Sequence, residues 1–574
     1  MAKTSHHTAL VNVLGVVYLH KKTVDGGDLY LTRFAEPHQE RLEIENWYEE
    51  SWFTKHRVRL LGTSSVYRVP TRRIGGASLD LVVKHNRVGE DVPLNTHALQ
   101  EFMSAEFNSP WEEFALVMEM GDKHFGQMLQ WIKVQRPLAI YVPPQRMQAW
   151  QSGRSRAKIN RIQARHPGVD LDILKQYKLV YEWIRGKNLV EIFEHIKVEM
   201  PDLVHHLTTM QKKALDDLTV KGYLMADMKP EHVIIEEDDC DRLEQLGGND
   251  NAGAAAKQVD LLYHLLEMGK YSVIDYELFF RTPEHEDRVK ATRRHCYLDD
   301  QQCRLEPTPL PPHLSRTEIF GVPYVFGRAE STGGRMWVVG RNARLFDYFL
   351  PERWRKTPSL SLSDDNEVFY TVTKDNIHLV WETSRVGEFP ADSKYSPDEV
   401  VKIKRHGINS PFEEFAISQD LNSRGIHAVY VRAIYVTGSL KVEMSVDPRR
   451  YQSHRAIVDI DGDPVLAAEH NYITIRGYYN GPDEWVPEHE DQLLIPVDLA
   501  KAVRKGIIDA AQGKIYLDRA IARLREAGYD GSLLKKNDLL LAMNSRGEIV
   551  KDRAGDPDII ICNFETLWKI ADPA

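Results

Sequence analysis

Apolar positions along this chain fall into two rhythms, short strand-like runs and a few stretches with helical spacing. The apolar run within residues 1–22 reads as a strand, and so does LVVKHNR around Lys84. NSPWEEFALVMEM opens with Ser109 and Pro110 and places acidic residues in its first turn, which predicts a helix start. Leu203, Leu207, Met210, Ala214 and Leu218 recur at spacings of three and four and predict a core helix ending at Gly222. A polar loop follows with Asp227, Lys229, Pro230 and His232, and then a β-type run from Val233 to Ile235. A later apolar pair, Val273 and Ile274, ends in Asp275. Between them, GGNDNAGAAA at 247–256 predicts a surface loop and VDLLYHLLEM at 259–268 a helix.

The same order of segments occurs twice. FNSPWEEFA at 107–115 matches INSPFEEFA at 408–416. LVVKHNR around Lys84 is paired with VVKIKR around Lys402, and RPLAIYV at 136–142 with VRAIYVTG at 431–438. GTSSVYR at 62–68 is set against ETSRVGE at 382–388, and YKLVYEWIRGKNL at 177–189 against NYITIRGYYNGPDEW at 471–485. A Gly-Tyr pair closes a helix at 222–223 and again at 528–529, the second helix being marked by Leu517, Ile521 and Leu524. The expected organisation is one domain over 1–290, a connection over 291–330 and a second domain over 331–574. Pro307, Pro309, Pro311 and Pro312 predict that the connection is extended.

A length of 574 residues exceeds one ordinary domain, and 42% hydrophobic with 28% charged residues is a globular composition. The net charge of -10 argues against broad nucleic-acid binding. Four scattered cysteines do not make a disulfide framework, and no run reaches membrane-spanning length, so a cytoplasmic protein is expected.

The loop residues carry the chemistry. Two carboxylates and an imidazole at the ends of short strands are what a metal–nucleotide phosphotransferase needs. Taken one by one, each is ordinary: a strand lysine reaching solvent, first-turn glutamates, a turn aspartate. Their order is what stands out. It resembles the protein kinase-like superfamily in its broad sense, which includes small-molecule kinases. The resemblance covers roughly residues 60–280 and implies an α+β fold of two tandem bilobal units, each with a small β-rich lobe and a larger helical lobe. It implies that Lys84 holds ATP phosphates and that Glu113, or Glu112, orients it. Asp227 and Lys229 take the catalytic positions. His232 stands five residues after Asp227, where the family has a metal-binding asparagine, and Asp275–Tyr276–Glu277 matches the second metal motif. The implied cofactors are ATP with Mg²⁺, or Mn²⁺. The family's glycine loop is absent; Gly62, Ser64 and Ser65 are the residues left to meet phosphate. Adenine is expected against the backbone near Tyr181, Glu182 and Trp183.

In the second copy Lys402 and Glu414 are expected to keep the lysine–glutamate pair, while Leu533 stands at the place of Asp227 and Asn563 at that of Asp275. This copy is expected to be degenerate, left to bind a nucleotide without transfer, to regulate, to dimerise or to shape the substrate site. The function expected is phosphoryl transfer from ATP to a hydroxyl, on a small molecule rather than a protein, because no activation segment with a terminal APE-like triplet is visible. The alternatives are a catalytically inactive nucleotide-binding scaffold or regulatory interaction protein, and nucleotidyl rather than phosphoryl transfer.

Overall fold

The computed structural model describes residues 8–60, 65–90, 107–121, 132–147, 159, 162, 171–196, 198–247, 253–329, 334–355, 357–363, 368–390, 395–440, 446–479, 494–544, 546–551 and 555–570. The expected phosphate-meeting residues Gly62 and Ser64 lie outside this set. Helices and strands are both abundant, and the sheets are almost wholly antiparallel, which makes the fold α+β. The chain divides into two units, Met1–Lys290 and Ala291–Ala574.

The first unit opens with an eight-stranded sheet. Its strands are β1 (Thr8–Val13), β2 (Val16–Lys22), β3 (Asp28–Leu31), β4 (Val58–Arg59), β5 (Val66–Pro70), β6 (Asp80–His85), β8 (Pro137–Val142) and β9 (Lys178–Glu182), the short β7 (Lys133–Val134) lying outside it. Their order across the sheet is β1-β2-β3-β8-β9-β6-β5-β4. β8 is central and buried along its whole length, which accounts for its continuous apolar run. The helix Pro110–Met120 packs on one face through Trp111, Phe114 and Val117, against Val82, Leu179 and Tyr181. A second apolar layer, including Trp47, Leu81, Val83 and Val180, covers the other face.

The rest of this unit is mostly helical. The helix Met200–Lys221 ends at Gly222, whose φ of +100° is the left-handed conformation that glycine adopts without strain. It delivers the chain to β11 (Tyr223–Met225), which pairs with β14 (Phe279–Arg281). β12 (Val233–Glu236) lies between β10 (Gly186–Asn188) and β13 (Ser272–Val273). The polar loop 226–232 and the turn 274–278 are thereby held side by side: the Ala226 amide donates to Leu278 O at 2.9 Å and the Ile274 amide to His232 O at 3.0 Å.

The second unit repeats this sheet strand for strand. β15 (Leu314–Ile319), β16 (Val322–Arg328), β17 (Arg335–Val339), β18 (Ser359–Ser361), β19 (Val368–Val372), β20 (His378–Thr383), β21 (Val431–Leu440) and β22 (His470–Gly477) take the order β15-β16-β17-β21-β22-β20-β19-β18. Counted in chain order within each sheet, the two arrangements are identical. Later come β23 (Ile495–Asp498), β24 (Tyr529–Asp530), β25 (Leu539–Met543), β26 (Ile559–Ile561) and β27 (Trp568–Lys569). The pairing of β24 with β27 repeats that of β11 with β14.

Three expectations are corrected. The stretch 291–330 is not an extended connection: a helix continues to Gln302, and β15 and β16 are the first strands of the second sheet. The prolines block regular structure only around themselves, between 303 and 313. Lys402 does not lie on a strand. It belongs to the helix Pro397–His406, where Ser396 and Glu399 form a capping box, Pro397 takes the first turn, and Val400 and Ile403 are buried three residues apart. Finally, ETSRVGE does not correspond to GTSSVYR. Lys84 faces Leu179, which faces Ile140; Glu382 faces Thr474, which faces Ile434. Ile140 and Ile434 each begin an Ile-Tyr-Val run, so KHNRVGE at 84–90 is the counterpart of ETSRVGE, and Glu382 occupies the position of Lys84.

Candidate functional site

Lys84 sits on the third strand of the β4-β5-β6 meander and points to the face covered by the helix Pro110–Met120. Its side chain is only 5% exposed. Three carboxylates surround the amine: Asp275 Oδ1 at 2.5 Å, Glu277 Oε2 at 3.3 Å and Glu113 Oε1 at 3.6 Å. Burial works against the lysine charge, but these three carboxylates outweigh it and hold the amine well above its ordinary pKa. Glu113 is fully buried and accepts a hydrogen bond of 2.8 Å from the Tyr181 hydroxyl. Its burial pushes its pKa up to about 7 against the pull of Lys84 and Tyr181. Burial also acts to raise Asp275, yet Lys84, His232 and Lys229 together hold it below the ordinary carboxylate value.

Asp275 is placed by a strained backbone and a clamp. Its φ is +69°, a left-handed conformation that costs most side chains energy and that aspartate tolerates better than most. The Asn108 side-chain amide donates to Tyr276 O at 3.2 Å and to Phe279 O at 2.8 Å, and the Asn108 backbone N–H donates to Glu277 O at 2.9 Å. The Tyr276 hydroxyl accepts from the Gln135 amide at 2.9 Å and donates to Val273 O. Arg87 pairs with the other Glu277 oxygen, Oε1, at 3.3 Å.

The polar loop contributes Asp227, whose carboxylate pairs with Lys229 at 2.7 Å. Lys229 is the more exposed of the two. His232 Nε2 lies 3.6 Å from Asp275 Oδ2. Burial lowers the His232 pKa, with Lys229 and Lys84 adding to this and Asp275 and Asp227 opposing it. Lys84, Asp227, Lys229, His232 and Asp275 therefore form one electrostatically linked group, brought together from β6 and two adjoining loops.

Other expected residues stand differently. Ser65 is described, and its carbonyl accepts from the His85 amide at 3.2 Å. Glu112 belongs to the capping box with Ser109, and Glu113 is the helix glutamate beside Lys84. The expected adenine edge is in part engaged within the protein. Tyr181 is buried with its hydroxyl on Glu113. The Glu182 amide donates to Arg136 O, its carbonyl accepts from Gln135 Nε2, and the Trp183 amide donates to Asp80 O, each at 3.0 Å. The Glu182 amide and carbonyl and the Trp183 amide are thus engaged within the protein. Arg87, Asn108 and the Glu277 side chain had no assigned role in the sequence. The repeated Asn-Ser-Pro and Arg-Val-Gly-Glu strings were the signals that could have found the first two.

The second unit rebuilds this framework with different charges. The Asn409 amide clamps Phe564 O at 2.8 Å and Leu567 O at 2.7 Å, as Asn108 does in the first unit. Arg385 pairs with Glu565 as Arg87 pairs with Glu277. The Cys562 amide donates to Asp538 O at 2.9 Å, matching Ile274 and His232. At the centre, however, Glu382 replaces Lys84 and Arg476 replaces Tyr181. Arg476 is ion-paired with Glu382 and lies 3.0 Å from Glu414 Oε2. The expected Lys402–Glu414 pair is thus replaced by Arg476–Glu414, and Lys402 bonds instead to Ser532 and Asp530. Leu533 packs with Ile403, Ile408 and Trp568, and the Asn563 amide donates to Asp538 Oδ1 at 3.0 Å.

Among the described residues, no group of three or more histidine, cysteine, aspartate or glutamate side chains is arranged to hold a metal unaided, and no helix is long and apolar enough to cross a membrane. Comparison of the chain with protein families, with curated proteins and with solved structures finds no match.

Proposed function

We propose that the first unit is an ATP-dependent phosphotransferase, kinase-like in arrangement, acting on a hydroxyl of a small molecule. The observation that carries this reading is the buried Lys84 amine, gripped by Glu113 from the following helix and by Asp275 from a loop end. A strand lysine paired with a helix glutamate, beside a loop aspartate, is the arrangement that grips nucleotide phosphates in such enzymes. Lys84 would bind the phosphates, with Glu113 setting its direction and Tyr181 fixing Glu113. Asp227 would orient the acceptor hydroxyl and take its proton. Lys229, exposed and next to Asp227, would offset charge on the group in transfer.

The donor set suits a divalent cation that shares its coordination with nucleotide. Asp275 Oδ2 and His232 Nε2 stand 3.6 Å apart, a carboxylate and an imidazole that each ligate divalent cations. Asp275 and His232 would hold the ion, and phosphates and water would complete it, as expected for a cation bound by one or two protein ligands. When bound, it neutralises phosphate charge and fixes the phosphoryl group for attack.

ATP consumption by the full chain, compared with the Asp227→Ala and Asp275→Ala variants, tests the reading against a panel of small hydroxyl acceptors. Loss of turnover in both variants is expected; equal turnover in all three proteins overturns it. The second reading is an inactive nucleotide-binding scaffold, favoured by the direct bond between Asp275 and Lys84 and by the histidine at position 232. It predicts nucleotide-dependent thermal stabilisation with no turnover on any acceptor.

A further inference from the structure

His232 is a buried imidazole without the usual reasons for being buried. The residue is 8% exposed, and neither ring nitrogen makes a hydrogen bond among the described residues. Nδ1 is fully enclosed and unpartnered. Nε2 lies 3.6 Å from Asp275 Oδ2, beyond hydrogen-bonding distance. The cost of a buried unpaired polar group, about 1–3 kcal/mol, falls on Nδ1, and Nε2 is the nitrogen left open to a ligand beside Asp275. The ring is not loosely held. Its backbone amide donates to Lys229 O at 2.9 Å, and its carbonyl accepts from Ile274 at 3.0 Å, which ties it to the strand end that carries Asp275.

Two ligand atoms on one ion, each about 2.0–2.2 Å from it, lie roughly 3 Å apart at a right angle and farther at wider angles. The separation of His232 Nε2 and Asp275 Oδ2 falls within that span. Mg²⁺ prefers oxygen ligands and gives up water reluctantly, whereas transition dications accept imidazole nitrogen readily. Resting on the phosphotransferase reading, we propose that the cation at this site is a divalent transition metal ion rather than Mg²⁺, bound through His232 Nε2 and Asp275 Oδ2 together with nucleotide phosphate. The second unit shows the contrast. There Asp538 and Asn563 occupy the two positions and satisfy one another through a hydrogen bond of 3.0 Å, leaving no orphaned donor or acceptor between them.

The test uses the full chain with Mn²⁺ as the probe and a β,γ-methylene analogue of ATP. Electron spin-echo spectroscopy of bound Mn²⁺ reads directly coordinated nitrogen, and labelling of histidine with ¹⁵N separates imidazole from adenine nitrogen. The expected result is a nitrogen coupling that changes on labelling and disappears in His232→Asn, with Mn²⁺ binding at least about tenfold tighter than Mg²⁺ in the wild type and that advantage lost in the variant. Nucleotide-dependent Mn²⁺ binding without a histidine coupling overturns the proposal and leaves the phosphotransferase reading standing. Absence of any nucleotide-dependent Mn²⁺ binding overturns both. The labelling result needs only the wild-type protein, so a poorly folding variant does not remove the test.

Discussion

Lys84 and Glu382 occupy the same position in two copies of one sheet and carry opposite charges. Each stands on the strand next to the central pair, each faces the residue opposite the isoleucine of an Ile-Tyr-Val run, and each is followed by the loop that leads to Arg-Val-Gly-Glu. In the first unit the cation of the buried network is on that strand. In the second it is Arg476, on the neighbouring strand, and a carboxylate replaces the amine. A carboxylate at that place repels phosphate, while a lysine attracts it.

One nucleotide per chain is therefore expected. Titration of the full chain with ATP and a divalent cation should give a stoichiometry near one, and Lys84→Met should abolish binding. Lys402→Ala should leave the affinity within about twofold, because Lys402 lies on a helix and serves Asp530 and Ser532. Calorimetry on the three proteins checks both statements. Two sites per chain, or loss of binding in Lys402→Ala, would contradict them.

Asp227→Asn keeps the size of the side chain and removes its ability to take a proton. The expected effect is a fall in kcat of roughly 10²–10⁴ with nucleotide affinity little changed. Lys84→Met should instead abolish nucleotide binding. Steady-state kinetics beside direct nucleotide binding separates the two behaviours.

Asn108 and Asn409 each hold two carbonyls of the turn that carries the loop carboxylate or its counterpart. Alanine at either position leaves those buried carbonyls unpaired, at a cost of about 2–4 kcal/mol in the unit concerned. Denaturant unfolding should show a destabilisation from each. Only Asn108→Ala should also lower turnover, since its turn carries Asp275.

Glu113 supplies a pH dependence. Burial raises its pKa from 4.5 to about 7, against Lys84 and Tyr181. Between those values the folded protein keeps a proton that the unfolded chain has lost. The contribution to stability is therefore fully present below pH 4.5 and is lost as pH rises to about 7, by about 3 kcal/mol. Glu113→Gln does not titrate. The difference in unfolding free energy between wild type and variant should change in that sense across this window and be flat above it.

Local patterns in the sequence reached the elements whose formation depends on their own residues. The capping residues Ser109 and Glu112, the apolar stripe from Leu203 to Leu218 and the Gly222 stop each act within a turn or two of helix. The Asp-x-Lys loop and the run ending in Asp275 are likewise short. Strand register is not local, and pairing Lys84 with Lys402 on residue identity failed for that reason. The chain recognises the position by what lies across the sheet, and the charge there was exchanged together with its neighbour. The same non-local bonding engages the Glu182 amide and carbonyl and the Trp183 amide, in a stretch that in isolation looks like an open edge. The proline cluster was legible as a break, but its reach is a few residues, and the strands that follow are set by pairing with β17 and β21.

The clamp on the Asp275 turn and the pairing beside it recur in both halves, while the residues between them trade charge as a set. A graft of one residue from one half into the other would fail. Glutamate in place of Lys84 would crowd four acids together with the buried amine gone, and lysine in place of Glu382 would press a second cation against Arg476. Hybrid proteins built from the halves will need to carry the strand-and-neighbour pair as a single cassette, Lys84 with Tyr181 or Glu382 with Arg476.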